Sequence, residues 1–543
     1  MKVFKAFYSF IVVTFVLLAL SALSVFAVSS ERESNDTYTT ATYVSFGDTV
    51  KGKISSYYDV DYYKISVNSK GYISIKLDHV ITDDYVDWKM SIYKYNNALD
   101  EVFSDYLRGR EINNLPRLGV EPGTYYIKIS DGDNSSGYDY QMTVKFTASD
   151  YWESELNDSY LTADTVKLNK TYGGFTGKGG NEDYFKFTPS YAGYLTIKLD
   201  HLLLSENAYW KINVYKYNDA LQEVYYSTFY ADEINKSPKI GVEKGKTYYV
   251  KISTYYNVDG VEYKMTFGFS STTHWESEQN DTYLTADTIK LQSLYGGFIG
   301  DGDSCDYFKF TLNSAKKISL AFFHNAADDY DCWDVELYKL GSSLKSVFSK
   351  RVYGDKTSYV SDNISLSSGT YYIKVTGIYI NNIQYKVGVY TGLHTKYTVK
   401  YHLSGGKNSS KNPASYRPSL TKSISLHTPT LKGYTFKGWY TDSAKTKKIT
   451  KIEKGTTGNI ELWAKWERKT YTISYHLSGG KNSSKNPSKY TYSSSKDVAL
   501  HTPTRTGYTF KGWYTDSART KRIYKIAGGT TGDLTLYAKW EKK

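Results

Sequence analysis

Three short acidic strings carry the clearest chemistry in this chain: Glu31-Arg32-Glu33-Ser34-Asn35-Asp36-Thr37, Glu153-Ser154-Glu155-Leu156-Asn157-Asp158-Ser159 and Glu276-Ser277-Glu278-Gln279-Asn280-Asp281-Thr282. They offer oxygen donors and neither imidazole nor thiol. In an extended strand, residues i, i+2 and i+4 share one face. That spacing lines up Glu31, Glu33 and Asn35, with Asp36 close by at a turn. An Asp-Tyr pair follows each opening Asp at the same distance: Asp61, Asp183 and Asp306 stand 25 residues after Asp36, Asp158 and Asp281. A carboxylate from that second strand would close an oxygen shell of the kind calcium takes, six to eight ligands in number. The alternative is a turn capped by Asn-Asp-Thr, with the glutamates facing water.

Catalytic motifs are missing. The nine His residues form no His-Glu-x-x-His, and no Gly-x-Ser-x-Gly occurs. Ser404-Gly-Gly-Lys407 and Ser478-Gly-Gly-Lys481 match Ser-x-x-Lys only superficially, because they sit in a repeated hairpin-like turn. His79, His201 and His324 recur at a fixed period, which suits packing. Trp439 and Trp513 could stack sugars, but a Trp repeated within a fold signature belongs to a core. Cys305 and Cys332 are the only two cysteines. They rule out a cysteine-rich metal site, and in an exported chain they read as an intradomain disulfide, the alternatives being two free thiols or a catalytic Cys.

The elements that position these residues come in repeats. Trp88, Trp210 and Trp333 are spaced by 122 and 123 residues, and each unit closes on a Tyr-Tyr run beginning at Tyr125, Tyr248 or Tyr371. Runs such as Tyr194–Leu199 and Trp210–Tyr217 alternate with period two. Tyr, at 58 of 543 residues, favours half-buried strands. The expectation is a mainly β protein of three tandem antiparallel sandwiches, over 28–149, 150–271 and 272–392. After Gly392 the text changes: 397–468 and 469–543 repeat at a period of 74, shown by Trp439 and Trp513. Residues 1–27, with Lys2 and Lys5, an apolar run and small residues ending at Ala27, read as a secretory signal peptide. Charge divides the chain. Residues 397–543 hold 28 Lys+Arg against 8 Asp+Glu, a net of +20, within a total of +12 that leaves −8 for residues 1–396. A tail this basic is drawn to polyanions.

The triplicated acidic opening, the Asp-Tyr-[Tyr/Phe]-Lys strand and the Gly-Thr-Tyr-Tyr-Ile-Lys-[Ile/Val] closing strand resemble the bacterial pre-peptidase C-terminal domain, over about residues 29–392. The tail's Gly-Tyr-Thr-Phe-Lys-Gly-Trp-Tyr and its terminal Ala-Lys-Trp look like the internalin-type B repeat, or Listeria–Bacteroides repeat. The first resemblance implies a jelly-roll-like sandwich, found on exoproteins, in which some members bind calcium, collagen or insoluble substrate. The second implies a small β-grasp-like module of cell-envelope proteins. Carried across residue by residue, the calcium ligands become Glu31, Glu33, Asn35, Asp36 and Asp61 in the first copy. They become Glu153, Glu155, Asn157, Asp158 and Asp183 in the second, and Glu276, Glu278, Asn280, Asp281, Asp303 and Asp306 in the third. The position of Asp303 is Tyr58 in the first copy, with Asp59 adjacent, and Gly180 in the second.

The functional expectation is an exported, non-catalytic binding or adhesion protein of the cell envelope. Its sandwiches would be stabilised by calcium and would hold a polysaccharide or fibrous protein, with the tail on the anionic cell wall. It would have no nucleic-acid partner and, once the signal is cut, no membrane span. The alternatives are an accessory or stalk protein of an extracellular enzyme system, or an exoenzyme with an unfamiliar site.

Overall fold

The computed structural model describes residues 28–543 apart from 81–84, 178–181, 205–206, 257–259, 301–302, 304, 326, 329 and 381–382. Residues 1–27, expected from the sequence to be a signal peptide, lie outside the described residues. Contacts group the chain into two compact units. One holds the described residues up to Thr311 with Phe322–Tyr359 and Gly369–Gly388, and the other holds Leu312–Ala321, Val360–Ser368 and Val389–Lys543.

No helix occurs among the described residues. Period-two sequence becomes period-two burial: Val60–Val67 alternates between half-buried and buried positions, as does Glu182–Phe187. In the first copy, Asp87–Tyr95 and Val60–Val67 flank Gly123–Asp133, and Leu99–Arg108 forms an edge. Facing them, Asp139–Ala148 lies between Thr49–Lys53 and Gly71–His79. The second copy repeats both sheets, and the third repeats the Asp-Tyr sheet with Gly369–Ile378 at its centre. The sheets are not wholly antiparallel as expected. Thr42–Tyr43 runs parallel to Val60–Val67, and Val28–Ser30 runs parallel to Thr49–Lys53. These two- and three-residue edges reach their partners through a crossing connection rather than a hairpin. Trp88, Trp210 and Trp333 are buried, each packed on the recurring histidine with ring centroids 4.3, 4.6 and 4.1 Å apart.

Within the first unit, each copy seats on the one before it through a plug. Phe175, 1% exposed, ends its own strand Thr171–Phe175 and puts its ring in the first copy's core beside Phe103, centroids 6.1 Å apart. Phe298 does the same in the second copy's core, 6.0 Å from Tyr225. Trp152 and Trp275 make a second contact. Trp152 lies against Tyr72 and under the Arg117 guanidinium, which also binds Glu262 of the second copy. Trp275 lies against Tyr194 and Lys239. A Cβ on Gly173 or Gly296 would stand 2.2 or 2.3 Å from those Trp rings. At the matching positions the first copy carries Ser30, Lys51 and Lys53.

The cysteine expectation is corrected here: the structure does not join Cys305 to Cys332. Cys305–Leu312 and Cys332–Leu340 lie on opposite sides of Gly369–Ile378 in one sheet. Strands lie about 4.8 Å apart, so two steps separate the chains by about 10 Å, beyond the roughly 7 Å a disulfide spans. The Cys305 thiol instead faces the Asp281 carbonyl at 3.6 Å. Thiol titration of the unfolded, unreduced chain is therefore expected to count two groups, and a count of zero would contradict the structure.

In the tail, each repeat forms a five-stranded mixed sheet and a two-stranded one. Tyr397–His402 runs parallel to Ile460–Arg468, and Thr470–His476 parallel to Leu534–Lys542. Trp439 and Trp513 are 2% exposed, and their indole N–H groups donate to the His427 and His501 carbonyls at 3.1 Å. They are core residues.

Candidate functional site

The acidic strings do not form the extended strand that the i, i+2, i+4 reading required. The chain bends at Glu33, Glu155 and Glu278. In the second and third copies, one carboxylate that the sequence reading missed enforces the bend. Asp164 accepts the Ser154 N–H at 2.6 Å and its hydroxyl at 2.9 Å, and Asp287 holds Ser277 at 2.7 and 2.8 Å. In the first copy Thr42 takes that role, its hydroxyl accepting from the Arg32 N–H at 3.1 Å. The following Asn returns to the sheet, where the carbonyls of Asn35, Asn157 and Asn280 accept from Tyr62, Tyr184 and Tyr307 at 2.9, 3.0 and 2.9 Å. The Thr or Ser after the Asp then closes a hydroxyl-bonded turn, Thr37 to Thr40, Ser159 to Thr162 and Thr282 to Thr285, each at 2.9 Å.

The bend turns the side chains inward. In the third copy, Glu276, Glu278, Asn280 and Asp306 are all at least 97% buried, and oxygens of Glu276, Glu278 and Asp306 lie within 4.8 Å of one another. Glu276 is tied down on both oxygens, accepting from the Phe298 N–H at 2.6 Å and from the Tyr385 hydroxyl at 3.2 Å. The other Tyr385 contact is Asp306 Oδ2. One hydroxyl proton thus faces two carboxylates. Five further oxygens accept no hydrogen bond from the described residues: Glu278 Oε1, Asn280 Oδ1, Asp281 Oδ1, Asp303 Oδ2 and Asp306 Oδ1.

The second copy repeats this frame. Glu153 accepts from Phe175 N–H and Tyr263 hydroxyl, both at 2.5 Å, and Tyr263 also reaches Asp183 at 2.8 Å. Glu155 Oε1, Asn157 Oδ1 and Asp183 Oδ1 are buried and accept no hydrogen bond from the described residues. No trio closes within 4.8 Å here among the described residues. The first copy is more open, with Glu33 and Asp36 exposed. Two trios form there, Glu31 with Glu33 and Asp61, and Glu33 with Asp36 and Asp59. Asp59 therefore supplies the carboxylate that Tyr58 cannot. The Asn35 amide, turned with its nitrogen toward them, donates to Glu33 at 3.0 Å and Asp61 at 3.2 Å.

Glycine makes room for the tethering glutamate. A Cβ on Gly174 would stand 2.4 Å from the Glu153 carboxylate, and one on Gly297 would stand 2.2 Å from Glu276 Oε2.

Burial pushes the carboxyls of Glu276, Glu278 and Asp306 well above the usual range, and mutual repulsion adds to it. Burial likewise raises Asp303 to about 7, with Asp281 adding to the shift, and Asp61 to about 8 against the opposing Tyr140 hydrogen bond. Uncompensated buried carboxylates are costly, and natural sites pair them or place them on a metal. The donor set is oxygen only, the chemistry of a hard divalent cation rather than of zinc.

A carboxyl with a raised folded-state pKa binds its proton more tightly when folded. Its stabilising contribution is present in acid and is lost as pH rises through the folded value. In metal-free buffer, melting temperature is therefore expected to fall between pH 5 and pH 8.5, the window set by Asp303 and Asp61. A divalent cation that takes the protons' place should stabilise most at the alkaline end. Melting curves at pH 5 and 8.5, with and without calcium, check both signs.

Two segments, 397–465 and 471–539, match the Listeria-Bacteroides repeat domain. Among curated relatives, a protein of Evansella cellulosilytica with the provisional name of Gly-rich membrane protein is 34% identical over 27% of this chain and 16% of its own length. Internalin H of Listeria monocytogenes is 34% identical over 21% of this chain and 20% of its own. The chain thus spans about a fifth or less of these relatives. Among solved structures, the pre-peptidase C-terminal domain of a Bacillus anthracis collagenase shares 20% identity over 19% of this chain and 94% of that one, with a TM-score of 0.17. Among the described residues, no helix is long and apolar enough to cross a membrane.

Proposed function

We propose that the protein is a non-catalytic binding protein of the bacterial cell surface. Its front sandwiches are calcium-stabilised modules for a polymeric ligand, and its basic tail holds the anionic envelope. Glu278, Asn280, Asp281, Asp303 and Asp306 would hold the third copy's ion, whose charge would compensate the buried carboxylates. In the second copy Glu155, Asn157, Asp158 and Asp183 would do so, and in the first Glu33, Asp36, Asp59 and Asp61. Glu31, Glu153 and Glu276 chiefly tether the bend.

The observation that carries the binding role is an aromatic cluster that recurs on one sheet face. Tyr38, Tyr95 and Tyr126 meet with centroids 5.6–6.1 Å apart, and Tyr160, Tyr217 and Tyr249 at 5.8–6.5 Å. In the third copy Tyr283 meets Tyr372 at 5.8 Å. Tyr95 and Tyr217 are each 40% exposed, and Leu340 takes that position in the third copy at 41%. Three such half-wet platforms in tandem raise avidity for a repeating polymer without a tight single site.

Sedimentation of the protein with purified cell walls, polysaccharide and collagen fibres across a salt series tests this reading. Retention on walls is expected to weaken with salt as the tail is screened, and Tyr95→Ala with Tyr217→Ala to weaken the salt-resistant part. Absence of retention on every polymer, or turnover of any of them, overturns it.

A further inference from the structure

The two tail repeats, so alike in sequence, differ in what covers one groove. In the first repeat the ring of Tyr492 lies against Gly433 and edge-on to Tyr434, centroids 5.5 Å apart. The Tyr492 N–H donates to the Lys469 carbonyl at 2.8 Å. A Cβ on Gly433 would stand 2.1 Å from that ring, so the glycine is the floor on which the tyrosine sits. In the second repeat the matching Gly507 has nothing within 4 Å of a Cβ. There the groove is open, with a volume of 640 Å³, and Lys481, Arg505, Tyr508, Trp540 and Lys543 are among the residues that line it. Leu431 of the first repeat is replaced by Arg505, whose guanidinium stacks 3.7 Å over the Tyr508 ring.

The groove's cations are among those that the tail's few carboxylates do not neutralise. Glu453, Glu461, Glu467, Asp497 and Glu541 pair with lysines elsewhere. Asp442, Asp516 and Asp533 accept backbone N–H groups. Those are all eight of the tail's carboxylates. Lys481, Arg505 and Lys543 make no ion pair among the described residues, and no Asp or Glu side chain lines the groove. An arginine held flat on a ring presents its fork to an anion with little side-chain entropy left to lose. The tyrosine edge beside it suits a sugar or polyol.

We propose that this groove is the tail's specific binding site for a linear anionic glycopolymer, with Arg505, Lys481 and Lys543 taking its charges and Tyr508 its carbohydrate. The inference rests on the reading of the tail as the envelope-holding part and assigns that role to one place. The first repeat, its groove occupied by Tyr492 and lacking the arginine, contributes only general charge.

The test uses the full chain and two probes, a glycerol-phosphate teichoic acid and hyaluronate, so that phosphate and carboxylate sources are told apart. Arg505→Leu restores the first repeat's own residue, which guards the fold, and an unchanged melting curve verifies that. Lys485→Ala removes one exposed charge of the same repeat outside the groove. Losing a hydrogen bond to a charged group is expected to weaken binding of the preferred polymer about tenfold or more in Arg505→Leu, and less than about twofold in Lys485→Ala, as for a screened surface charge. Equal losses in the two variants overturn the groove while leaving the basic tail as a general polyanion binder. Failure of the wild-type chain to bind either polymer at low salt overturns the reading of the tail itself.

Discussion

Phe298→Ala is expected to destabilise the chain by about 3–5 kcal/mol, the range for emptying a well-packed phenylalanine site. Phe175→Ala should do the same. Both rings are 1% exposed, and each completes a core that belongs to the preceding copy. The loss should therefore appear in two places: the copy that receives the ring and the junction it anchors. Phe298→Leu, which keeps most of the apolar volume, should recover the greater part. Lys53→Ala at the matching first-copy position should cost less than about 1 kcal/mol, because that side chain is exposed and makes only a surface ion pair with Asp139 at 3.8 Å. Denaturant unfolding of the four proteins would give the ordering, and equal effects at positions 53, 175 and 298 would contradict the plug.

Asp306→Asn should change the sign of its effect with calcium. At pH 8 without the ion, the variant is expected to be more stable than the wild type. It removes one of several mutually repelling buried carboxyls, yet leaves Tyr385 an oxygen to donate to. With 10 mM calcium the order should reverse. Extracellular sites of this kind bind at about 10⁻⁴–10⁻³ M, so saturation would stabilise the wild type by about 1.4–2.7 kcal/mol per site. That corresponds to about 3–10 °C in melting temperature for a domain of this size. The variant should gain nothing at that site. A variant less stable than wild type under both conditions would mean that Asp306 is structural alone.

The repeats, the strands and the closeness of the acidic residues could all be read from spacing, because period-two alternation and constant offsets survive in any one sequence. The geometry of the acidic string could not. Its i, i+2, i+4 pattern suggested a flat strand, and the bend is made by Asp164 and Asp287, which lie ten residues downstream and have Thr42 as their first-copy counterpart. Asp59 was visible beside Tyr58, but its approach to Glu33 and Asp36 was not, because the loop absorbs the one-residue offset. The pairing of Cys305 with Cys332 failed because sequence shows that two residues share a sheet but not that a strand lies between them. The plug was legible in retrospect. Trp152 goes with Gly173 and Phe175, and Trp275 with Gly296 and Phe298, where the first copy has Ser30, Lys51 and Lys53. Three coupled differences between otherwise matching copies are the signature of a buried junction.

The claim on which most depends is that the orphaned oxygens around Asp306 hold a divalent cation. Equilibrium dialysis of the full chain against calcium at pH 8, with Asp306→Asn in parallel, tests it most directly. Saturable binding in the millimolar range or tighter is expected, with one ion fewer per chain in the variant. Equal stoichiometry in the two proteins, or no bound calcium in either, would contradict it.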